Sequence, residues 1–192
     1  MGSSPFVPVN VHAILNDFEQ KAIAPYNRRI SSAESRSMKE TDIFHFRRLH
    51  EHLATSGLPG REQLGMLARW GYQLVINLLP CDNPQAIADE AGILHRQHIR
   101  YVSVEVDFMH PTEDDYRKFK EALQSRAEKE KTLIHCAANF RASLFYARYA
   151  RECLNWTRDQ ALESIHSLWK PEDHPQWKDF FEKTVFHETR PD

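Results

Sequence analysis

Apolar residues in the middle of the chain form short runs that alternate with segments of helical spacing. The clearest run covers residues 72–79, and a nearly all-apolar segment of this length is typical of a strand buried on both faces. Shorter segments with strand character lie before and after it. The predicted strands are, in order, 43–49, 52–54, 72–79, 99–106 and 131–135.

Helical spacing and capping signals mark the segments between and after these strands. The first predicted helix lies around 64–68 and ends at Gly71, and the second is capped by Asn83-Pro84 and runs to about His98. The third begins with a Thr112–Asp115 capping box, and the fourth begins just after Cys136. The fifth is capped by Thr157 with Gln160, and the last covers 176–186.

Strands that alternate with helices predict βαβ units, in which successive strands lie parallel in one sheet. We therefore expect an α/β fold with a mostly parallel central sheet flanked by helices. Ligands of such sheets bind beyond the carboxyl ends of the strands. Cys136 and the segment 107–111 each follow a predicted strand, so both are expected at this edge.

The first part of the chain differs from the rest. Residues 28–37 are polar and rich in serine, which is typical of a linker. The pattern predicts an N-terminal extension and linker over 1–41, one domain over 42–187 and a short tail over 188–192.

Composition excludes several classes of protein. The 192-residue chain is 41% hydrophobic and 27% charged, as expected for a globular protein, and its net charge of −2 gives no reason to expect nucleic-acid binding. No apolar run approaches the roughly 18 residues of a membrane helix, and no secretory signal begins the chain. We expect a cytoplasmic protein that does not bind membranes. The sequence pattern does not distinguish a monomer from an oligomer.

Three cysteines bear on the chemistry: Cys81, Cys136 and Cys153. An odd number without metal-ligand spacing predicts neither a disulfide framework nor a zinc site. The closely spaced His45, His50 and His52 are better explained as scattered histidines than as metal ligands. No metal or other cofactor is expected.

Cys136 lies where a predicted strand passes into a predicted helix. Such a loop points backbone amides, and the positive end of the helix dipole, at one spot that binds an anion. The same groups stabilise a thiolate, and an arginine in the loop can hold two phosphate oxygens. Cys136 and Arg141 are therefore candidate catalytic residues. The candidate phosphate-binding residues are Ala137, Ala138, Asn139, Phe140, Ala142 and Ser143.

This loop resembles the signature of protein tyrosine and dual-specificity phosphatases, which is His-Cys, five residues, Arg, then Ser or Thr. His135, Cys136 and Ser143 match it in place. Arg141 is one position early, and Asn139 stands where a glycine is usual. Asparagine tolerates a positive φ, so that change is mild, whereas one step around a helix start turns a side chain by roughly 100°.

The segment from about residue 42 to 185 also resembles a bacterial phosphatase-like domain family that is found fused to β-lactamase-like hydrolases. The motifs that carry this resemblance are Ala54-Thr55-Ser56-Gly57-Leu58-Pro59, Val75-Ile76-Asn77-Leu78, Pro111-Thr112, the loop 135–143 and Ile165-His166-Ser167-Leu168-Trp169-Lys170-Pro171. The resemblance implies a dual-specificity-phosphatase-like fold and a cysteinyl-phosphate intermediate. The shortened Cys-x4-Arg loop of this chain is also compatible with altered or lost catalysis.

The phosphatase scheme requires an acid at the end of another strand, and Asp107 is the best-placed candidate. His110, Asp114 and Asp115 are alternatives, although Asp114 and Asp115 suit a helix N-terminus. In this scheme His135 supports the loop and tunes the thiol, and Ser143 stabilises the departing thiolate.

Three functions remain open at this point. The chain is expected to hydrolyse a phosphomonoester of a small molecule or phosphoprotein. Alternatively, it binds such a partner without turnover. A weaker alternative is sulfur transfer, since rhodanese-like enzymes also use a cysteine in an anion-binding loop. Cys136 and Arg141 also have a purely structural interpretation, with the cysteine buried and the arginine paired.

Overall fold

The structure is a computed structural model that describes residues 38–186. The predicted tail over 188–192 and most of the predicted extension over 1–41 lie outside these residues. The described part contains five strands: β1 (Arg47–His50), β2 (Leu53–Ser56), β3 (Leu74–Asn77), β4 (Arg100–Ser103) and β5 (Thr132–His135). Its helices are α1 (Arg61–Leu64), α2 (Glu90–His95), α3 (Glu113–Gln124), α4 (Phe140–Cys153), α5 (Arg158–His166) and α6 (Pro175–Phe186).

The five strands form one sheet in the order β1-β2-β5-β3-β4. β1 is antiparallel to β2, and all the other neighbours are parallel. The expected α/β fold with a mostly parallel sheet is therefore confirmed. The register aligns Ser56, His135, Asn77 and Ser103, which are the last residues of the four parallel strands. Four carboxyl ends thus meet at one edge of the sheet.

Helices cover both faces of this sheet, which explains why β2, β3 and β5 are buried along their whole length. One face presents Ala54, Val75 and Leu133 to a cluster that includes residues of α1 and α2. Side chains alternate along a strand, so Ile76 and Ile134 point to the other face, where α3 and α4 contact the sheet. The nearly all-apolar composition of residues 72–79 follows from this double cover.

Three predicted boundaries were wrong. The helix expected after Asn83-Pro84 begins only at Glu90, because the Asn83 side chain accepts from the Gln85 amide and closes a local turn instead. The helix expected over 64–68 is α-helical only within α1, and turns follow it. The first strand begins at Arg47 rather than at residue 43, because His45 has a φ of 49° that no strand allows.

Other predicted signals were confirmed. Thr112 and Asp115 exchange both hydrogen bonds of a capping box at the start of α3, and Thr157 and Gln160 do the same at α5. Gly71 was expected to end the helix around 64–68; it instead closes the turns that follow α1, with a φ of 85° that glycine adopts without strain.

Gly57 lies where the chain leaves β2 and passes very close to the segment that follows β5. A Cβ atom on Gly57 would lie 2.8 Å from the Ala137 carbonyl oxygen and 2.8 Å from Cδ1 of Phe44. The Gly57 amide also donates to the Phe44 carbonyl at 2.8 Å. Only glycine permits this approach, so the two segments can be hydrogen-bonded directly.

Gly57→Ala should therefore lower the free energy of unfolding by about 1–3 kcal/mol, because backbone atoms must move to admit the methyl group. Gly60→Ala is the matched control, since a Cβ there would meet only Oε1 of Gln63 at 3.6 Å. Urea denaturation of both variants measures the difference. Equal midpoints for the two variants would contradict the close approach.

Candidate active site

The candidate loop begins where β5 ends and runs into α4, as predicted. Residues 136–143 are all buried, and Cys136 has no exposed surface. The Cys136 amide still belongs to the sheet, because it donates to the Ser56 carbonyl at 3.4 Å. The cysteine is thus the last residue held by the sheet and the first of the loop.

The carbonyl groups of the loop point outward to neighbouring segments. The Ala137 carbonyl accepts from the Leu58 amide at 2.9 Å, and the Ala138 carbonyl lies 3.0 Å from Nδ1 of His45. A carbonyl oxygen only accepts, so Nδ1 of His45 carries the proton. In a trans peptide the next amide points away from the carbonyl. The Ala138 amide therefore points away from Leu58, and the Asn139 amide points away from His45.

Three amides at the start of α4 donate to no other backbone group. Within residues 38–186, these are the amides of Ala137, Ala138 and Ala142. The isolated antiparallel bridge between Gly57 and Ala138 directs the Asn139 amide toward the Ser56 carbonyl. The three amides lie at the N-terminus of α4, a helix of 14 residues, where unsatisfied donors and the helix dipole add together. This is the arrangement of donors that a tetrahedral anion requires.

Asn139 makes the turn from loop to helix. Its φ of 67° and ψ of 11° place it in the left-handed region, which asparagine tolerates better than most residues. Its side-chain amide donates to the His45 carbonyl at 2.8 Å and to Oγ1 of Thr55 at 3.0 Å. The asparagine therefore combines the backbone freedom of a glycine with two bonds that fix the loop.

Arg141 is 1% exposed and reaches the segment after β4. Its Nη1 donates to the Val106 carbonyl at 3.3 Å, and its guanidinium lies 5.5 Å from the centre of the Phe108 ring. The candidate acid Asp107 lies between these two residues in the chain. The structure thus brings Arg141 and the Asp107 segment together at the carboxyl edge of the sheet.

The Asp107 side chain lies at the surface of this segment and is 47% exposed. Its Oδ1 accepts from the Met109 amide at 2.8 Å, and its Oδ2 lies 2.9 Å from Nδ1 of His110. The alternatives Asp114 and Asp115 are engaged on α3, where Asp114 pairs with Arg117 and Asp115 completes the capping box.

Aromatic side chains hold the far end of the loop. Phe140 is stacked on Trp169 with ring centres 4.8 Å apart and planes at 10°. The Ser143 hydroxyl donates to the Phe140 carbonyl at 3.0 Å and accepts from Nε1 of Trp169 at 3.2 Å. Ser143 is thus engaged in fixing the start of α4, and its proposed contact with the thiolate stays a prediction.

Two contributors to the site were missed in the sequence. His45 binds the loop from before β1, and Glu90 binds His135 from α2 with Oε1 2.7 Å from Nε2. Among the described residues no group of three or more potential ligands is arranged to hold a metal ion. Cys81 and Cys153 are exposed, whereas Cys136 is buried.

Comparison with solved structures identifies the fold. The chain is similar to a phosphatase-like DUF442 protein of Shewanella putrefaciens, with 26% identity, a TM-score of 0.67, and 80% of this chain and 98% of that chain covered. The chain has the fold of the cysteine-dependent phosphatases. The core catalytic domain of the PP-IP phosphatase Siw14 of S. cerevisiae shares this fold, with 17% identity, a TM-score of 0.59, and 73% and 85% covered.

A third structure with this fold is TpbA of P. aeruginosa, solved in complex with pTyr, with 16% identity, a TM-score of 0.59, and 81% and 96% of the two chains covered. Among curated proteins, a beta-lactamase hydrolase-like protein of Xylella fastidiosa is 32% identical over 103 residues. That match spans 52% of this chain and 23% of the relative's length. The predicted resemblance is confirmed, and no family model matches the chain.

The structure also bears on the membrane expectation. Within the described residues, none of the helices combines the length and the apolar character that crossing a bilayer requires.

His45 should make the loop sensitive to acid. Burial lowers the pKa of His45, the hydrogen bond to the Ala138 carbonyl raises it, and Arg47 lowers it, with a net fall below the ordinary 6.5. The unfolded chain therefore binds a proton more readily than the folded one. Stability contributed by neutral His45 is present above pH 6.5 and is lost as the pH falls below it.

His45→Asn should flatten that loss, because asparagine tolerates the φ of 49° and does not titrate. Urea denaturation at pH 7.5 and at about 5.5 measures the change in stability for wild type and variant. A wild-type protein that loses no more stability than the variant would contradict the prediction.

Proposed function

We propose that this chain is a cysteine-dependent phosphatase that hydrolyses a phosphomonoester of a small molecule or phosphoprotein. The observation that carries the proposal is the set of unbonded amides of Ala137, Ala138 and Ala142, which follow Cys136. An oxyanion bound to them would lie at the N-terminus of α4, next to the residue that begins the loop. The fold shared with phosphatases supports this reading of the site.

In the first step, the Cys136 thiolate attacks phosphorus and forms a sulfur–phosphorus bond. The bond between phosphorus and the leaving oxygen breaks, and that oxygen takes a proton from the Asp107 carboxyl group. The loop amides stabilise the negative charge on the equatorial oxygens. Arg141 orients those oxygens from the first turn of α4.

In the second step, water attacks phosphorus and gives its proton to the Asp107 carboxylate. The sulfur–phosphorus bond breaks, inorganic phosphate leaves, and Cys136 returns to the thiolate. His110 lies 2.9 Å from the Asp107 carboxylate and holds it at the surface of the segment. The same aspartate thus serves as acid and then as base.

A second function, phosphate binding without turnover, is favoured by one observation. Arg141 is buried with Nη1 on the Val106 carbonyl, and Asp107 is engaged by the Met109 amide and His110. A loop that binds an anion without catalysing its transfer would keep these contacts. Binding would then depend on the amides and on the charge of Arg141, and not on the sulfur.

Hydrolysis of an aryl phosphate distinguishes these functions. Cys136→Ser should lower kcat by on the order of a thousandfold or more, because it removes the nucleophile. Asp107→Asn should lower kcat by about a hundredfold or more, because the acid is lost. Cys153→Ser is the matched control, since this exposed thiol ends α4, and its rate should equal that of the wild type.

Equal rates for wild type and Cys136→Ser would contradict the proposed mechanism. An absence of hydrolysis combined with calorimetric binding of inorganic phosphate, weakened by Arg141→Ala but not by Cys136→Ser, would establish the binding function instead. Thiosulfate consumption with a persulfide on Cys136 would establish sulfur transfer.

A further inference from the structure

A buried polar network lies behind the loop, on the face of the sheet opposite to Cys136. His135 and Cys136 are consecutive residues at the end of β5, so their side chains point to opposite faces. His135 has no exposed surface, and Glu90 is 5% exposed. Their contact, 2.7 Å from Nε2 to Oε1, is the only hydrogen bond of the His135 ring within the described residues.

The second oxygen of Glu90 is also bonded. Nδ2 of Asn77 donates to Oε2 at 3.1 Å and to the Tyr101 hydroxyl at 3.0 Å. The Asn77 side chain cannot turn over, because its Oδ1 accepts from the Leu79 amide at 2.7 Å. Oε2 of Glu90 therefore faces the fixed Nδ2 donor of Asn77, and Oε1 is available to accept from His135.

The other ring nitrogen of His135 has no such support. Nδ1 is buried and, among residues 38–186, has no hydrogen-bond partner. The orientation of the ring and the position of its proton consequently depend on Glu90 alone. A buried carboxylate that holds an imidazole in one tautomer is a recurrent way to support a neighbouring nucleophile.

We infer that Glu90 is a positioning residue for Cys136. It holds His135 with the proton on Nε2 and thereby fixes the end of β5, from which the nucleophile and the first loop amides emerge. The Asn77 bond ties the same carboxylate to β3, so two strand ends are held in register at the site. This inference rests on the proposed function, since it concerns the reactivity of the proposed nucleophile.

Glu90→Gln tests the inference with little change in shape. The carboxylate accepts from two donors, whereas the introduced amide can accept on one side only. Because Asn77 must donate, the introduced amide nitrogen faces Nε2 of His135. Nε2 of His135 can accept from this amide only if the ring proton moves to Nδ1, so the substitution should reverse the tautomer of His135.

Two measurements follow, and neither requires turnover. In the nitrogen-15 spectrum of the His135 ring, the chemical shift typical of a protonated nitrogen should move from Nε2 to Nδ1. In a Cys81→Ser/Cys153→Ser background, the thiolate absorbance of Cys136 should titrate with a midpoint on the order of one pH unit higher, because the loop amides lose alignment. Adding His135→Asn to Glu90→Gln should shift the midpoint no further, since Glu90 acts through His135.

Glu130→Gln is the matched control. Glu130 also accepts from side-chain donors, through two bonds of 2.8 Å from Arg100, but it precedes β5 at the opposite end of the sheet. It should lower the thermal midpoint of unfolding and leave the thiol midpoint unchanged. If Glu90→Gln does not fold, Glu90→Asp, which keeps the charge and the acceptors, should shift the thiol midpoint by less than one unit but measurably.

An unchanged Cys136 midpoint in a folded Glu90→Gln protein would overturn the inference. So would a changed midpoint with an unchanged His135 tautomer, because Glu90 would then not act through the ring. A shifted midpoint and a reversed tautomer in a protein that hydrolyses no phosphate ester would support the inference and contradict only the proposed hydrolysis.

Discussion

The hydrogen bond from the Leu58 amide to the Ala137 carbonyl determines the direction of the groups around it. It turns one loop carbonyl outward, so the following amide turns inward. It also requires the close passage at Gly57, where any side chain would meet the same carbonyl. The orientation of the loop, on which the proposed anion binding depends, is therefore set from outside, by the segment after β2, rather than by the loop alone.

Support for the site comes from every strand end at this edge of the sheet. The segment after β4 receives Arg141, the end of β3 contributes Asn77, and β2 supplies Thr55 beneath Asn139. The parallel alignment of these ends makes such convergence possible. Side chains held from several strands have little freedom, which favours a preorganised site over one assembled on binding.

The parts of this structure that depend on local pattern were predictable from the sequence. The double-covered strand β3 shows as a nearly all-apolar run, and the capping boxes place α3 and α5. Local pattern failed at Asn83, where the asparagine closes a turn seven residues before the helix it was expected to cap. Its capping and turn-forming hydrogen bonds use the same oxygen, and sequence alone does not decide between them.

The candidate site divides in the same way. Cys136, Arg141 and the loop amides are contiguous in sequence, so one motif predicts them together. Glu90 and His45 reach the loop across 45 and 93 residues of chain. Neither stands in a recognisable pattern, because a single buried carboxylate near a helix start and a single histidine before a strand are common in any sequence. Only the folded sheet shows what they contact.

The stacking of Phe140 on Trp169 limits how the length of the loop can change over evolution. Ala137, Ala138 and Asn139 are each bonded to another segment, so an inserted residue would have to enter after them. An inserted residue that became part of α4 would shift the residues before it by roughly 100° around the helix axis and move the Phe140 ring off Trp169. A longer loop with the same stacking would therefore need the extra residue to bulge out before α4 begins.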